Sequence, residues 1–170
     1  MESSEPPLSI EPLRADHALE DFDCGAEELN RFLKRFALVN QKAETARTYV
    51  ACRGVRVMGY YSLAVGSVLH AEASKRVTKG LARHPIPVML LARLAVDHRE
   101  HGQGIRSGLL KDALLRTLQA ADLAGIRALL VHAKDDNAAA FYRHFNFDPS
   151  STDPFHLFLL VKDIRRMLGN

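Results

Sequence analysis

The chain is 170 residues long, 47% hydrophobic and 25% charged, with a formal net charge of +3 and eight histidines. That length and apolar share suit one domain, 1–170, with a sizeable core, and a sequence pI of about 9.0 permits an anionic partner without demanding one. The longest apolar stretch, Val88–Val96, is cut by Arg93 and is far too short to cross a bilayer. The acidic, proline-bearing start has no secretory apolar segment. Cys24 and Cys52 lack metal or redox spacing and read as reduced thiols of a cytoplasmic protein.

In chain order, a first strand is predicted around Leu8 to Leu13. A helix follows over 22–41, where Leu29, Phe32, Leu33 and Phe36 recur at i, i+3, i+4 and i+7 and Glu27 and Glu28 suit its positive end. Residues 47–52 and 55–69 read as two strands joined at Arg53-Gly54 in a hairpin. The segment 70–85 breaks the apolar pattern and carries Lys75, Arg76, Lys79 and Arg83 against Glu72, which marks a surface loop or short helix. "IPVMLLARLAVD" is a central strand covered on both faces. A glycine loop then opens a helix from Ile105 to about Leu123, buried along Leu110, Leu114, Leu118 and Ala121, with Gly125 as its stop. The strand "IRALLVHA", a short helix over "DDNAAAFYRHF" capped by Asp135 or Asp136, and a last strand "FHLFLLVKDI" complete the chain. The order β-α-β-β-β-α-β-α-β is that of an α/β fold with a mixed central sheet.

The stretch "HGQGIRSG", 101–108, stands between strand and helix. The first N–H groups of a helix lack internal acceptors and carry the positive end of the dipole, so a diphosphate can lie there if the backbone comes close. Gly102 and Gly104 permit that approach. Gly102, Gly104 and Gly108 do not have the dinucleotide spacing, and no Gly-Lys-Ser/Thr follows. A tight strand-to-helix turn that binds nothing is the bland alternative. His98 and His101, three apart without a second ligand pair, read as solvated loop histidines, and no metal is expected.

With "DNAAAFYRHFNF", the loop resembles the GNAT superfamily of N-acetyltransferases. That family's pyrophosphate loop, Gln/Arg-x-x-Gly-x-Gly/Ala, maps onto His101, Gly104 and Arg106, so its first and last places depart from the pattern. Its later motif, Asn-x-x-Ala-x-x-(Phe/Tyr)-Tyr-x-x-x-Gly-Phe, maps onto Asn137, Ala140, Phe141, Tyr142 and Phe147, with Asn146 in place of glycine, a residue that tolerates the left-handed conformation. The resemblance implies a GNAT fold with splayed central strands and acetyl-CoA as cosubstrate. Pantetheine would pair with the backbone of Leu94, Ala95 and Val96. The pyrophosphate would lie on His101, Gly102, Gln103, Gly104, Ile105, Arg106 and Ser107, and Asn137 and Phe141 would contact the cofactor. Tyr142, a phenol with an ordinary pKa of about 10, would protonate the leaving thiolate as general acid. Of the two neighbouring rings, Phe141 is the better candidate for core packing. No side chain stands out as general base, because Asp97, His98 and Glu100 occupy positions that favour solvent.

The N-terminal half, through Phe22-Asp23-Cys24, "GYYSLA" and "LARLAVD", resembles the GNAT toxins of bacterial type II toxin–antitoxin pairs. These acetylate the α-amino group of aminoacyl-tRNA and block translation. The resemblance implies a tRNA substrate, a DNA-binding antitoxin of the ribbon-helix-helix type, a homodimer and a cytoplasmic location. An α-amine has a pKa of about 7.7–8.0 and needs little help from a base. Lys75, Arg76, Lys79, Arg83 and Arg93 are the candidate tRNA contacts, with Lys34, Arg35, Lys42 and Arg47 grouped around the first helix. Two rivals stand beside this reading. One is a GNAT enzyme acting on a small amine or a protein N-terminus. The other is an acetyl-CoA-binding variant impaired by Arg106, whose side chain either pairs with a phosphate or fills the space the diphosphate needs; impairment is the favoured expectation.

Overall fold

The computed structural model describes residues 4–169. Its strands are β1 (Leu8–Pro12), β2 (Arg47–Arg53), β3 (Arg56–Val68), β4 (Ile86–Val96), β5 (Ala128–His132), β6 (Asp148–Pro149) and β7 (His156–Leu160). They form one seven-stranded sheet in the order β1-β2-β3-β4-β5-β7-β6, mostly antiparallel with β4 and β5 parallel, so the expected α/β class with a mixed sheet holds. The chain divides into two compact units. One runs up to Ala64 and resumes over Arg93–Ala113; the other is Val65–Ala92 with Leu114 onward.

In the first unit β1 pairs antiparallel with β2 from Leu8↔Arg53 to Pro12↔Tyr49. The β2–β3 hairpin turns at Gly54-Val55, since Arg53 pairs with Arg56, one residue later than the sequence suggested. Gly54 takes φ +61°, as such turns require. The first helix is α1 (Glu27–Arg31), a π-turn at Phe32–Phe36 and α2 (Ala37–Lys42). The π-turn's wider loop rotates the following side chains off the α-helical stripe. Phe32 and Leu33 are therefore buried, whereas Phe36, expected in the core, is 48% exposed and Ala37 takes its place. Tyr60 centres this core: it meets Phe22 edge-on at 5.8 Å, stacks on Phe32 at 6.2 Å and donates to the Leu29 carbonyl at 2.7 Å. Gly59 beside it is dictated by close approach. A Cβ there would lie 2.9 Å from Leu109 Cδ1 and 3.1 Å from the Ala95 carbonyl oxygen.

In the second unit the β4–β5 ladder runs from Val88↔Ala128 to Leu91↔Val131, while β4 itself continues to Val96. β5 pairs antiparallel with β7, and the short β6, not anticipated from sequence, lies on the far side of β7. The 70–85 segment holds a short helix, α3 (Lys75–Thr78), capped by Ser74, whose Val77 packs with Ile86, Val88, Leu130 and Phe158. Arg127 ties down the end of α3 by donating to the carbonyls of Val77 (3.0 Å) and Lys79 (3.2 Å).

Helix α4 (Ile105–Ala121) buries Leu110, Ala113, Leu114, Thr117 and Leu118, whereas the expected Ala121 is half-buried. Gly125 is not a left-handed stop; the helix instead unwinds through Asp122 and Ala124, whose amides reach Leu118 and Ala120. α5 is Asp136–His144. The predicted last strand ends at Leu160, and α6 (Val161–Met167) replaces its second half. Val161 and Ile164 are buried three apart, with Asp163 in the first turn and Arg165 and Arg166 in the last, which is helical patterning.

Candidate functional site

The glycine loop is anchored from its first residue. β4 ends at Val96, and Asp97, only 1% exposed, donates its amide to the Met58 carbonyl (2.8 Å). Its carboxylate accepts from the Asp23 amide (3.1 Å), from the Arg99 amide (2.9 Å), and from Arg99 Nε and Nη2 (2.9 and 2.8 Å). The paired guanidinium holds the Asp97 carboxyl far below the usual carboxylate range, and Asp97 in turn raises Arg99. Arg99 also donates to the Asp21 carbonyl, and the His98 amide to that of Asp23. Glu100 is buried and accepts from Arg56 Nη2 at 2.9 Å. Asp97 and Glu100 are thus anchors of the loop, not the solvent-facing residues their polarity suggested; His98 is exposed as expected. Phe22-Asp23-Cys24 gains a function here, since Asp23 both receives this loop and caps Gly25 and Asn30.

Gly102 and Gly104 take φ +82° and +79°, a conformation that side chains rarely adopt. A Cβ at either would meet no protein atom within 4 Å, so backbone geometry and open space outside it go together here. Helix α4 starts at once, with the Gly108 amide on the Gly104 carbonyl (3.0 Å). His101 is exposed and its Nε2 lies 3.1 Å from the Val96 carbonyl. Gln103 and Ser107 are exposed, Arg106 is half-buried and Ile105 is buried. Leu94 is half-buried, and Ala95 and Val96 are buried. Two left-handed glycines running directly into a helix N-terminus are the kind of backbone that can cradle a diphosphate on its amides.

On the second unit, Asp135 caps α5 by accepting from the Ala138 amide at 2.8 Å. Tyr142 is buried at 7% exposure, with its ring edge-on to Phe141 (5.2 Å) and Phe147 (5.4 Å). Phe141 is only half-buried, so Tyr142 packs more deeply than the sequence suggested. The helix closes on Asn146 at φ +71°, which stands where the family motif has glycine and lets the Phe147 amide return to the Tyr142 carbonyl (3.2 Å). Asn137 is exposed on the first turn of α5.

The basic residues divide. Lys75, Lys79 and Arg83 are exposed. Arg76 is engaged with Asp163 (2.7 Å) and Asp148 (3.6 Å), and Arg93 lies over the Phe32 ring, 3.6 Å from its centre. Each of those two has a structural task that sequence alone did not reveal.

Two histidine clusters also escaped the sequence. In the first unit, Glu11, His17 and Cys52 come together, yet their hydrogen bonds disfavour a metal. The Arg14 amide donates to His17 Nδ1 (2.8 Å), which leaves the ring proton on Nε2, donated to Glu11 Oε1 (2.8 Å). Burial pushes the Cys52 thiol up, away from the thiolate a metal wants. In the second unit a cavity of about 500 Å³ has an apolar floor of Val88, Leu90, Leu130 and Phe158 and a polar rim that includes Glu72, His132, Asp153 and His156. The two imidazoles stack at 4.0 Å and 18°. Asp153 lies 3.4 Å from His156 Nε2; His132 is exposed, and its partial desolvation together with the facing His156 holds it below the usual imidazole value.

No protein-family model matches the chain. It is 50% identical over 149 residues, 88% of this chain and 89% of the relative, to the tRNA-acetylating toxin of Mycobacterium tuberculosis strain ATCC 25618 / H37Rv. Among solved structures it resembles AtaT complexed with acetyl-methionyl-tRNAfMet, with a TM-score of 0.88, 33% identity, and coverage of 95% of this chain and 99% of that one. It also resembles a tyrosine-to-phenylalanine mutant of the AtaT toxin bound to acetyl-CoA and the C-terminus of the antitoxin AtaR, with a TM-score of 0.82, 31% identity, and coverage of 96% and 99%.

Proposed function

The chain belongs to the GNAT family of tRNA-acetylating toxins, and on that footing we propose that it transfers the acetyl group of acetyl-CoA to the α-amino group of an aminoacyl-tRNA, blocking translation. The observation that carries this is the 50% identity with a tRNA-acetylating toxin over nearly the whole of both chains. The fold and the strand–loop–helix from Val96 to Ile105 agree with it.

The residue roles follow from the chemistry. Gly102 and Gly104 bring the loop backbone up to the pyrophosphate, and the first turn of α4 supplies amides and dipole. His101, Gln103, Ile105, Arg106 and Ser107 complete that loop, Leu94, Ala95 and Val96 offer backbone to pantetheine, and Asn137 and Phe141 contribute from α5. The amine nitrogen forms the new C–N bond as the thioester C–S bond breaks. Tyr142 gives its hydroxyl proton to the departing sulfur, a transfer supported by its place in the motif and by a ring fixed between Phe141 and Phe147. Lys75, Lys79 and Arg83 neutralise tRNA phosphates, with Arg76 and Arg93 adding charge from their anchored positions. Residues 1–170 act as one acetyltransferase domain. The protein works as a cytoplasmic homodimer under a DNA-binding antitoxin of the ribbon-helix-helix type.

Incubating the purified protein with labelled acetyl-CoA and charged tRNA tests the reading. Label on the α-amino group of aminoacyl-tRNA is expected. Rapid acetylation of polyamines or protein N-termini without any of aminoacyl-tRNA would overturn it.

A further inference from the structure

The first unit's opening helix turns an aromatic ring outward among cations that have no ion-pair partner among the described residues. We infer that this face holds an unpaired nucleotide of the tRNA, its base stacked on Phe36 and the neighbouring phosphates met by Lys34, Arg35, Lys42 and Arg47. The inference rests on the tRNA-acetylating reading and adds to it a surface, and a mode of contact, by which the nucleic acid is gripped.

Phe36 stands four positions after Phe32 and three after Leu33, both buried, so an α-helical register would bury it as well. The π-turn at Phe32–Phe36 carries it outward instead, to 48% exposure, with Val39 three positions on and 62% exposed. Such π-turns are frequent at functional sites. The charge of this stretch is one-sided: between Leu29 and Arg47 the chain carries five cations against one acid, Glu44. Arg14, Arg56 and Arg99 of the same unit are each held by a carboxylate, so the unpaired charge gathers here. The face is also held in place from below. Ala37 is buried under it, and the Gln41 side chain donates to the Leu13 carbonyl (2.9 Å) and accepts from the Thr48 amide (3.0 Å), which brings the start of β2, with Arg47, up to α2.

The combination selects the ligand. Exposed lysines and arginines serve any phosphate backbone and need no aromatic ring between them. A phenyl ring adds affinity where a base is unstacked and offers its flat face, which a duplex interior does not. A purely apolar partner would strip water from the surrounding cations without giving them a counter-charge, whereas the phosphates of an RNA supply one.

The experiment measures the affinity of the full-length protein for tRNA over a salt series, with a blunt-ended RNA duplex as second probe. The forms compared are wild type, Phe36→Ala, Phe36→Leu, Phe36→Tyr and the double change Lys34→Ala with Arg35→Ala. Thermal midpoints, acetyl-CoA binding and sedimentation are read alongside. Phe36→Ala should weaken tRNA binding about 5- to 150-fold, the scale of one base–aromatic stack, at an unchanged salt slope. Its affinity for the duplex should match that of wild type. Phe36→Leu should lose most of the same affinity, and Phe36→Tyr, which keeps the ring, should retain it. The double change should instead flatten the salt slope, by about 0.7 for each lost single-strand contact. Acetyl-CoA affinity should be the same throughout. An affinity of Phe36→Ala for tRNA within about twofold of wild type, or an equal loss on the duplex, overturns the inference. Should that variant fold poorly, equal tRNA affinities of Phe36→Leu and Phe36→Tyr overturn it as well. A change in sedimentation at unchanged tRNA affinity also overturns it and gives the face to a second copy of the chain. A wild type that acetylates no aminoacyl-tRNA overturns the functional reading itself, a separate failure.

Discussion

Asp97 offers the sharpest test of how the glycine loop is held. Replacing it with alanine removes a buried carboxylate that accepts four hydrogen bonds, from the amides of Asp23 and Arg99 and from two guanidinium nitrogens. Breaking a buried ion pair typically costs about 3–5 kcal/mol. The Arg99 side chain is 47% exposed and can rehydrate, which places the loss at the lower end, about 3 kcal/mol. For a chain of this size that is a fall of about 6–12 °C in Tm. The isosteric change Asp97→Asn keeps one acceptor oxygen and should lose about half as much. The pH dependence has a definite sign. The folded carboxyl lies far below its unfolded value, so its contribution is complete above an ordinary Asp pKa of about 3.9 and is lost as pH falls through the folded value. The gap between wild type and Asp97→Asn should therefore stay constant from about pH 5 to pH 8 and narrow only in stronger acid. Calorimetry over that range reads both quantities, and titration with acetyl-CoA reads the loop. A Tm within about 1 °C of wild type for Asp97→Ala, or a gap that already closes near neutrality, would refute the argument.

Tyr142→Phe should leave acetyl-CoA affinity nearly intact and reduce transfer by about 10²- to 10⁴-fold; equal turnover by the two forms denies the tyrosine its role. Replacing Lys75, Lys79 and Arg83 together by alanine should weaken tRNA binding and flatten its salt dependence by about 0.7–0.9 per lost phosphate contact, measured by filter binding over a salt series. Arg76→Ala should chiefly lower Tm, because its guanidinium engages Asp163 and Asp148, and a pure binding defect at unchanged Tm would contradict that. Arg106→Gly is expected to tighten acetyl-CoA and raise activity; weaker binding by calorimetric titration makes Arg106 a working phosphate ligand instead. Gly59→Ala should cost about 1–3 kcal/mol in thermal melts, because Leu109 can shift but the Ala95 carbonyl cannot.

The parts of the fold that sequence disclosed are those written in local patterns. Alternation gave the β2–β3 hairpin, a continuous apolar run gave β4, and glycines at the head of a helix gave the loop. Asn146 in the glycine place of a family motif proved to be left-handed at φ +71°, as its chemistry allows. What stayed hidden depends on partners far away in the chain. Phe36 follows the helical repeat faithfully, and only the π-turn turns it outward. Asp97 looks like a polar residue at the end of a strand until Asp23, 74 positions earlier, donates to it. His132 and His156 sit on different strands, and only the antiparallel β5–β7 register makes them partners. α6 was masked because "FHLFLLV" supplies enough apolar residues to prolong a strand, and the switch to helical spacing occupies a single turn.

The discontinuity of the first unit sets a timetable for the nascent chain. Residues up to Ala64 leave the ribosome without the Arg93–Ala113 segment that completes their unit. At about 5–20 residues per second, the intervening Val65–Ala92 alone takes roughly 1.5–6 s to synthesise, and the exit tunnel delays its successor further. During that interval Asp23 has no Asp97 to receive, and the glycine loop has not been made. Tyr142 follows later still. The acetyl-transfer site proposed above therefore cannot assemble until the chain has been made at least through Tyr142.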